Sequence, residues 1–226
     1  VLDVWFDSGV VSIFLHKIYK KKANLLIEGV DQYRGWFQTT LILSSIINKN
    51  PPAKQIISHG FVVDKDGQKM SKSLGNIITP NEIINKYGAD ILRLWVSNAD
   101  YTKDIQISTE ILKRIIDIYR KIRNSFRFIL SNLFDFTNTR KLYNKKLLYI
   151  DVILLKKIKK LHKKISTYYK NYKIYQAQKE IYNFCNIDLS NFYFDITKDR
   201  LYTCNKNSTQ RKSAQYVLYY TGLFLL

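Results

Sequence analysis

The sequence predicts an α/β protein: a doubly wound, Rossmann-type sheet over residues 1–100, followed by an α-helical bundle over residues 101–226. Three observations predict it. A compact apolar run ending in glycine and a later β-branched run flank a helix-length segment in the first hundred residues, the pattern of a right-handed parallel crossover. Beyond Ser108 the apolar positions take up a helical period and keep it. Charge divides at the same place: residues 1–100 carry 12 Lys and Arg against 9 Asp and Glu, a net of +3, whereas residues 101–226 carry 25 against 9, a net of +16.

Taken in order, "NLLIEG" (24–29) is a compact apolar run ending in glycine, as a buried parallel strand does. "DQYRGWFQTTLILSSIINK" has the length and spacing of a helix packing back on that strand, and Pro51-Pro52 ends it. Ile56-Ile57 and Phe61-Val62-Val63 are two short β-branched runs, with turn chemistry at Asp64-Lys65-Asp66-Gly67. A helix start follows: Thr79 as N-cap, Pro80 at the first helical position, Glu82 completing a capping box, and Gly88 at the stop. "ADILRLWVSNA" is a further helix, and the boundary falls near residues 97–108. Past it, Ile111, Ile115, Ile118, Ile122, Phe126, Ile129 and Leu133 form one apolar stripe, with Arg114, Arg120, Lys121, Arg123, Asn124 and Arg127 off it. Leu154, Ile158, Leu161, Ile165, Tyr168 and Tyr172 repeat the stripe. A third helix runs from about Ile174 through Phe184 and Leu189, and the segment 135–147 is a loop. The run "YVLYYTGLFLL" reads as a core helix cut by the chain end, and Val1 in place of a starting methionine makes both ends read as cuts through a longer protein.

Composition excludes several classes. At 46% hydrophobic and 24% charged, the chain is a folded protein rather than a disordered tail. Cys185 and Cys204, 19 apart with no second pair, rule out a four-thiolate zinc site and argue for a reducing cytosol. No run is long enough to span a bilayer, and Asp3 and Asp7 break any signal peptide. The basic half points to a polyanionic partner such as nucleic acid. Codon drift toward lysine is the competing source of the excess, but both halves share that drift and only one is strongly basic.

"KMSKSLGN" (69–76) concentrates the chemistry. Lys69 and Lys72 stand on a segment too polar for a core and too short for a solvated helix, leaving a strand edge just before a helix start. That placement suits a mobile loop closing over a phosphate chain; a solvated charged turn is the alternative.

Four segments, "VLDVWFDSG" (1–9), "EGVDQYRGWF" (28–37), "HGFVVDKDGQKMSKSLGN" (59–76) and "KYGADILRLWV" (86–96), resemble class I aminoacyl-tRNA synthetases, and among these the isoleucyl-tRNA synthetases most closely. "ILKRIIDIYRKIRNSFRF" (111–128) and "FYFDITKDRLY" (192–202) extend the resemblance over most of the chain. "KMSKS" points to the class; "EGVDQYRGWFQ" with Asp7 separates this chain from the valyl and leucyl enzymes. The resemblance implies a catalytic domain over 1–100, the C-terminal half of the Rossmann-type fold, and an incomplete helical anticodon-binding domain over 101–226. It implies activation of isoleucine by ATP, carried with Mg2+, and transfer to tRNA(Ile), in a cytoplasmic enzyme that is monomeric when complete. A non-catalytic basic tRNA-binding module and another class I synthetase, such as the valyl enzyme, are the alternatives.

By the same resemblance, Lys72 is the ATP-binding lysine and Lys69 its helper, stabilising charge that grows on departing pyrophosphate. Glu28, Asp31 and Gln32 correspond to aminoacyl-adenylate contacts; from the residues alone, Glu-Gly at a strand end is more often a helix-capping turn. Trp5 and Trp36 resemble walls of the isoleucine pocket, or else are ordinary core tryptophans. His59-Gly60 resembles the segment lining adenine, and a histidine at a strand end is otherwise structural. Arg120, Arg123, Asn124 and the lysine-rich faces of 154–173 correspond to the tRNA-binding surface, where phosphate neutralisation dominates. No residue of this chain is expected to hold a metal. The family's His-x-Gly-His signature, its editing insertion and its zinc region are absent from this segment, and the interval from Trp5 to Glu28 is a few residues short, which suggests a trimmed loop.

Overall fold

A computed structural model describes residues 2–137 and 147–226. Two compact units divide the chain, one of Val1–Ile77 with Tyr101–Ser108, the other of Ile78–Asp100 with Thr109–Leu226. Residues 78–100, which precede the boundary read from the sequence, therefore pack with the helices that follow.

The first unit begins with helix α1 (Val4–Tyr19), whose N-terminus is capped by the Asp3 carboxylate accepting from the Trp5 amide at 2.8 Å. The sequence pattern does not predict this helix. Its apolar residues are spread around the axis, several of them exposed, so no stripe marks the element. Strand β1 (Ala23–Gly29) then pairs in parallel with β2 (Ala53–His59), Leu26 opposite Ile56 and Glu28 opposite Ser58. Between them run a 3₁₀ turn (Val30–Arg34) and helix α2 (Trp36–Asn48), which ends at left-handed Lys49 before Pro51-Pro52. This is the parallel crossover expected, and α1 packs along α2. A second parallel pair joins β3 (Val62–Val63) to β4 (Ile105–Gln106). Between β2 and β3, Gly60 admits the strand leading into β4: a Cβ there would lie 2.3 Å from the Lys103 carbonyl oxygen, so no other residue fits. The Gly60 amide donates to the Tyr101 carbonyl at 2.9 Å, and the Phe61 amide to Asp104 Oδ1 at 2.8 Å.

In the second unit, α3 (Pro80–Tyr87) starts as expected: the Thr79 hydroxyl accepts from the Glu82 amide and also donates to the Glu82 carboxylate, and Gly88, at φ 92°, stops the helix before α4 (Ala89–Asn98). Helices α5 (Thr109–Ser131) and α6 (Tyr149–Lys170) follow the two stripes, with Ile115, Ile129, Leu154, Ile158 and Ile165 buried. Of the loop read over 135–147, residues 138–146 lie outside the described residues. The third expected helix is longer than its stripe suggested. Helix α7 (Ile174–Asn183), a π-helical stretch (Phe184–Tyr193) and α8 (Phe194–Tyr202) form one run whose junction residues all keep helical dihedrals. The widened turns bring Phe184, Cys185, Leu189, Tyr193 and Phe194 into the core, a spacing no 3.6-residue template matches. Helix α9 (Thr209–Leu225), capped by Ser208, completes the core with Ala214, Val217 and Leu218.

One polar cluster is sealed into this core. Asp151 is fully buried and receives a bidentate pair from Arg200, both contacts 2.9 Å, a hydrogen bond from the Tyr193 hydroxyl at 2.7 Å, and one from the Ser213 hydroxyl. Three segments distant in sequence, α6, the run from α7 through α8, and α9, thus meet on one carboxylate. Burial opposes the Arg200 charge, and the Asp151 carboxylate outweighs it, holding the guanidinium above its usual range. Burial, with the adjacent carboxylate, raises the Tyr193 phenol as well.

Candidate functional site

Parallel strands place ligands at their carboxyl ends, and in the first unit that end carries Glu28 and Gly29 of β1 beside Ser58 and His59 of β2. Glu28 is exposed and, among the described residues, in no ion pair. It does not cap the turn that follows: the N-cap is Gly29, with no side-chain bond. The capping-turn alternative therefore finds no support, and the carboxylate is left facing solvent. Asp31 folds back over the strand end, its Oδ1 only 2.5 Å from where a Gly29 Cβ would sit, so the glycine is what admits the carboxylate. Gln32 is committed locally, its Nε2 donating to Asp31 Oδ2 at 3.2 Å and its Oε1 accepting from the Trp36 amide at 3.1 Å. It thereby serves the first turn of α2, a role its sequence position does not advertise. Tyr33, not singled out by the sequence, joins the same edge through its hydroxyl, 2.6 Å from Ser58 Oγ. The His59 ring lies with Nδ1 2.8 Å from the Gly60 carbonyl, which turns it toward the chain's own backbone.

The two tryptophans meet at the start of α2. Trp5 is 48% exposed, which removes it from the core, and its ring edge packs at 3.2 Å from the Cβ position of Gly35. The Trp36 indole N–H donates to the Ser8 carbonyl at 2.9 Å, and its ring tilts against Phe37. Together they make an aromatic, half-open surface next to Asp31 and Gln32 in the chain.

The lysine loop runs from β3 to Ile77. Lys69 stacks its ammonium 3.9 Å from the centre of the Phe61 ring, a cation–π contact rather than an ion pair. Lys72 is exposed and, among the described residues, pairs with no carboxylate. The loop has an internal order of its own. The Asp64 carboxylate accepts from the Asp66 and Gln68 amides at 3.0 and 2.8 Å and from Asn76 Nδ2 at 2.8 Å. Those bonds, the Asn76 contact first and the Gln68 amide next, hold its pKa below the ordinary 3.8.

On the helical unit, the exposed cations divide by what they touch. Lys157 and Lys164 pair with Asp188 and Glu180, and Lys121 donates to Asn186. Lys156, Lys159, Lys160 and Lys163 are exposed without an ion pair among the described residues. Their spacing puts the four on one strip of α6, turned about a quarter of the way around the helix from the paired two. No group of three or more His, Cys, Asp or Glu residues among the described residues is arranged to hold a metal, and no described helix is long and apolar enough to cross a membrane.

Comparison with known proteins bears on both units. Residues 1–108 match the family model described as tRNA synthetases class I (I, L, M and V), and residues 151–226 match the anticodon-binding domain of tRNA ligase. The chain is 50% identical to the isoleucine–tRNA ligase of Vesicomyosocius okutanii, over 97% of this chain and 23% of that protein. It is 48% identical to that of Buchnera aphidicola subsp. Cinara cedri, over all of this chain and 25% of the relative. The chain thus spans about a quarter of the length of the curated relatives it matches. Among solved structures, the LeuRS–tRNA–LeuAMS ternary complex of Agrobacterium radiobacter superposes with a TM-score of 0.74 at 15% identity, covering 96% of this chain and 29% of that one. Mycobacterium tuberculosis methionyl-tRNA synthetase in complex with methionyl-adenylate gives 0.71 at 19% identity, covering 90% and 40%. At these identities the two structures speak to the fold alone.

Proposed function

The chain belongs to the class I aminoacyl-tRNA synthetases, and from that premise we propose that it is the part of an isoleucine–tRNA ligase that binds the adenylate and closes over the pyrophosphate of ATP. The observation that carries this reading is the lysine loop: two exposed ammonium groups without carboxylate partners among the described residues, on an internally bonded loop that leaves β3, which follows closely after β2, the parallel partner of the strand whose carboxyl end bears Glu28. In the reaction, a carboxylate oxygen of isoleucine attacks the α-phosphorus of ATP, the bond to the bridging oxygen of the β-phosphate breaks, and pyrophosphate leaves with the added negative charge. The ATP enters with its Mg2+ as substrate. Lys72, with Lys69 beside it in the loop, meets the charge that develops on the β and γ phosphates, which stabilises the transition state more than the ground state. Glu28 and Asp31 offer carboxylates to the ammonium of the amino acid or to ribose hydroxyls, and Trp5 and Trp36 supply the apolar wall for its side chain. A ribose hydroxyl at the 3′ end of tRNA(Ile) then attacks the carbonyl of the adenylate, the acyl–phosphate bond breaks, and AMP leaves as the ester forms. Identity of about half the residues with isoleucine–tRNA ligases supports isoleucine as the amino acid.

The helical unit serves the tRNA. Its unpaired strip of Lys156, Lys159, Lys160 and Lys163 suits a phosphate backbone, and the exposed Arg120, Arg123 and Asn124 of α5 offer further contacts. The two free cysteines suit a reducing, cytoplasmic setting.

Lys72→Ala in the complete synthetase tests the reading. Isoleucine-dependent ATP–pyrophosphate exchange should fall on the order of a hundred-fold, the usual loss when one preorganised charge at a reacting centre is removed, with isoleucine binding little changed. Unchanged exchange with weakened isoleucine binding would overturn the assignment.

A further inference from the structure

The lysines stand on a loop whose two ends are joined by a single side-chain pair. β3 ends at Val63, and Asp64 comes next. Oδ1 of Asp64 accepts from the amides of Asp66 and Gln68, and its own amide donates to the Gln68 carbonyl at 2.9 Å, so the carboxylate organises the turn that starts the loop. Oδ2 accepts from Nδ2 of Asn76, at the other end. The Asn76 amide is used on both sides: its Oδ1 accepts from the Ser71 amide at 2.9 Å, in the middle of the loop. Ser71 in turn accepts from the Leu74 amide at 3.2 Å, and the Gly75 amide donates to the Lys72 carbonyl at 3.3 Å. Start, middle and end of a fourteen-residue excursion, Val63 to Asn76, are thus tied through one carboxylate and one amide.

These bonds have a chemical logic that few residue pairs satisfy. The position facing Asp64 must donate, and the same side chain must accept from a backbone amide behind it. Asparagine does both at this reach; aspartate cannot donate, and alanine can do neither. Asp64 is half buried, with both oxygens turned to N–H donors of the loop itself, so its negative charge is spent inside the loop. Lys69 and Lys72 are exposed by comparison, Lys69 set on the Phe61 ring that precedes β3. Without the pair, the loop would keep its lysines but lose their common frame, and charge contributes to a phosphoryl reaction only when it is already in place.

We infer that Asp64 and Asn76 are positioning residues for the two loop lysines, and that the Asp64–Asn76–Ser71 chain makes the loop move as one body rather than as a flexible tether. The assignment rests on the reading of this loop as the pyrophosphate clamp, and it adds two residues that touch no substrate.

A swap experiment in the complete synthetase tests it. In Asp64→Asn, two amide donors face each other; in Asn76→Asp, two carboxylates do. Each single variant should lower the kcat of isoleucine-dependent ATP–pyrophosphate exchange by about ten-fold, as expected for loss of one hydrogen bond to a charged group. The KM for isoleucine should stay within about two-fold, because the strand-end contacts are untouched. Trypsin should cut after Lys69 and Lys72 faster in both. The double variant D64N/N76D restores a donor opposite a carboxylate, with the remaining oxygens still able to accept from Gln68 and Ser71, and should recover most of the exchange rate and the protection. Single variants that exchange and resist trypsin like the parent, or a double variant no better than the singles, would overturn the inference. A parent protein without isoleucine-dependent exchange would instead overturn the functional reading, and the trypsin pattern would still decide for or against the latch.

Discussion

Glu28 is the residue at which the functional and structural alternatives separate most cleanly. Its side chain is exposed, caps nothing and sits at the carboxyl end of β1, so the fold has little use for it. Glu28→Ala should leave the circular dichroism spectrum and thermal midpoint of the complete synthetase unchanged. Binding of a non-hydrolysable isoleucyl-adenylate analogue should weaken by about ten-fold, the loss of one charged hydrogen bond. An unfolded variant would restore the capping-turn reading. Gln32 behaves differently: its amide already bonds Asp31 and the Trp36 backbone, so replacing it perturbs the first turn of α2 as well as any ligand. Reading Glu28, Asp31 and Gln32 as one set, as the motif invites, merges a free carboxylate with a local brace.

Among the elements, the run from α7 through α8 depends on a carboxylate outside it. Asp151, at the start of α6, receives Tyr193 and Arg200 from that run and Ser213 from α9. The Arg200 side chain is only 14% exposed, so removing its partner leaves a charge with little access to water. Asp151→Ala should therefore destabilise the helical unit by about 3–5 kcal/mol, the range for breaking a buried pair. Thermal or urea unfolding of the complete protein would measure it. A loss near zero would mean that the surrounding helices hold α8 without the pair. Nothing in the sequence singles out Asp151, an acid in the first turn of α6, and only the packing turns it into the centre of the core.

For the whole molecule, the governing quantity is the concentration of positive charge in residues 101–226. Binding of tRNA to the complete synthetase should fall steeply with salt, because each phosphate contact releases counterions. Replacing Lys160 and Lys163 together with alanine should reduce the slope of log K against log salt by about 2, roughly one per phosphate contact. The same change at Lys157 and Lys164, whose charges are paired with Asp188 and Glu180, should reduce it far less. Equal effects from the two pairs would mean that the strip on α6 has no special part in holding tRNA.

The sequence by itself determined the parallel crossover, the capped start of α3, the two apolar stripes of α5 and α6, and the lysine loop. Each is written in near-neighbour chemistry: β-branched runs, a Thr-Pro-x-Glu start, a period of three and four, and a turn followed by cations. Tertiary structure alone decided the rest. Helix α1 has no stripe to announce it, and the π-helical stretch breaks the 3.6-residue period because packing, not local preference, sets which side chains face the core. Residues 78–100 join the helical unit through contacts made with α5 and α7, far along the chain. At the site, sequence supplied Lys69, Lys72 and Glu28 as residue types in a pattern. It could not supply Tyr33 against Ser58, Trp36 against Ser8, or Asp64 against Asn76, which are 25, 28 and 12 residues apart. A hydrogen bond between side chains needs two positions and two orientations to agree, and only the folded backbone brings those together.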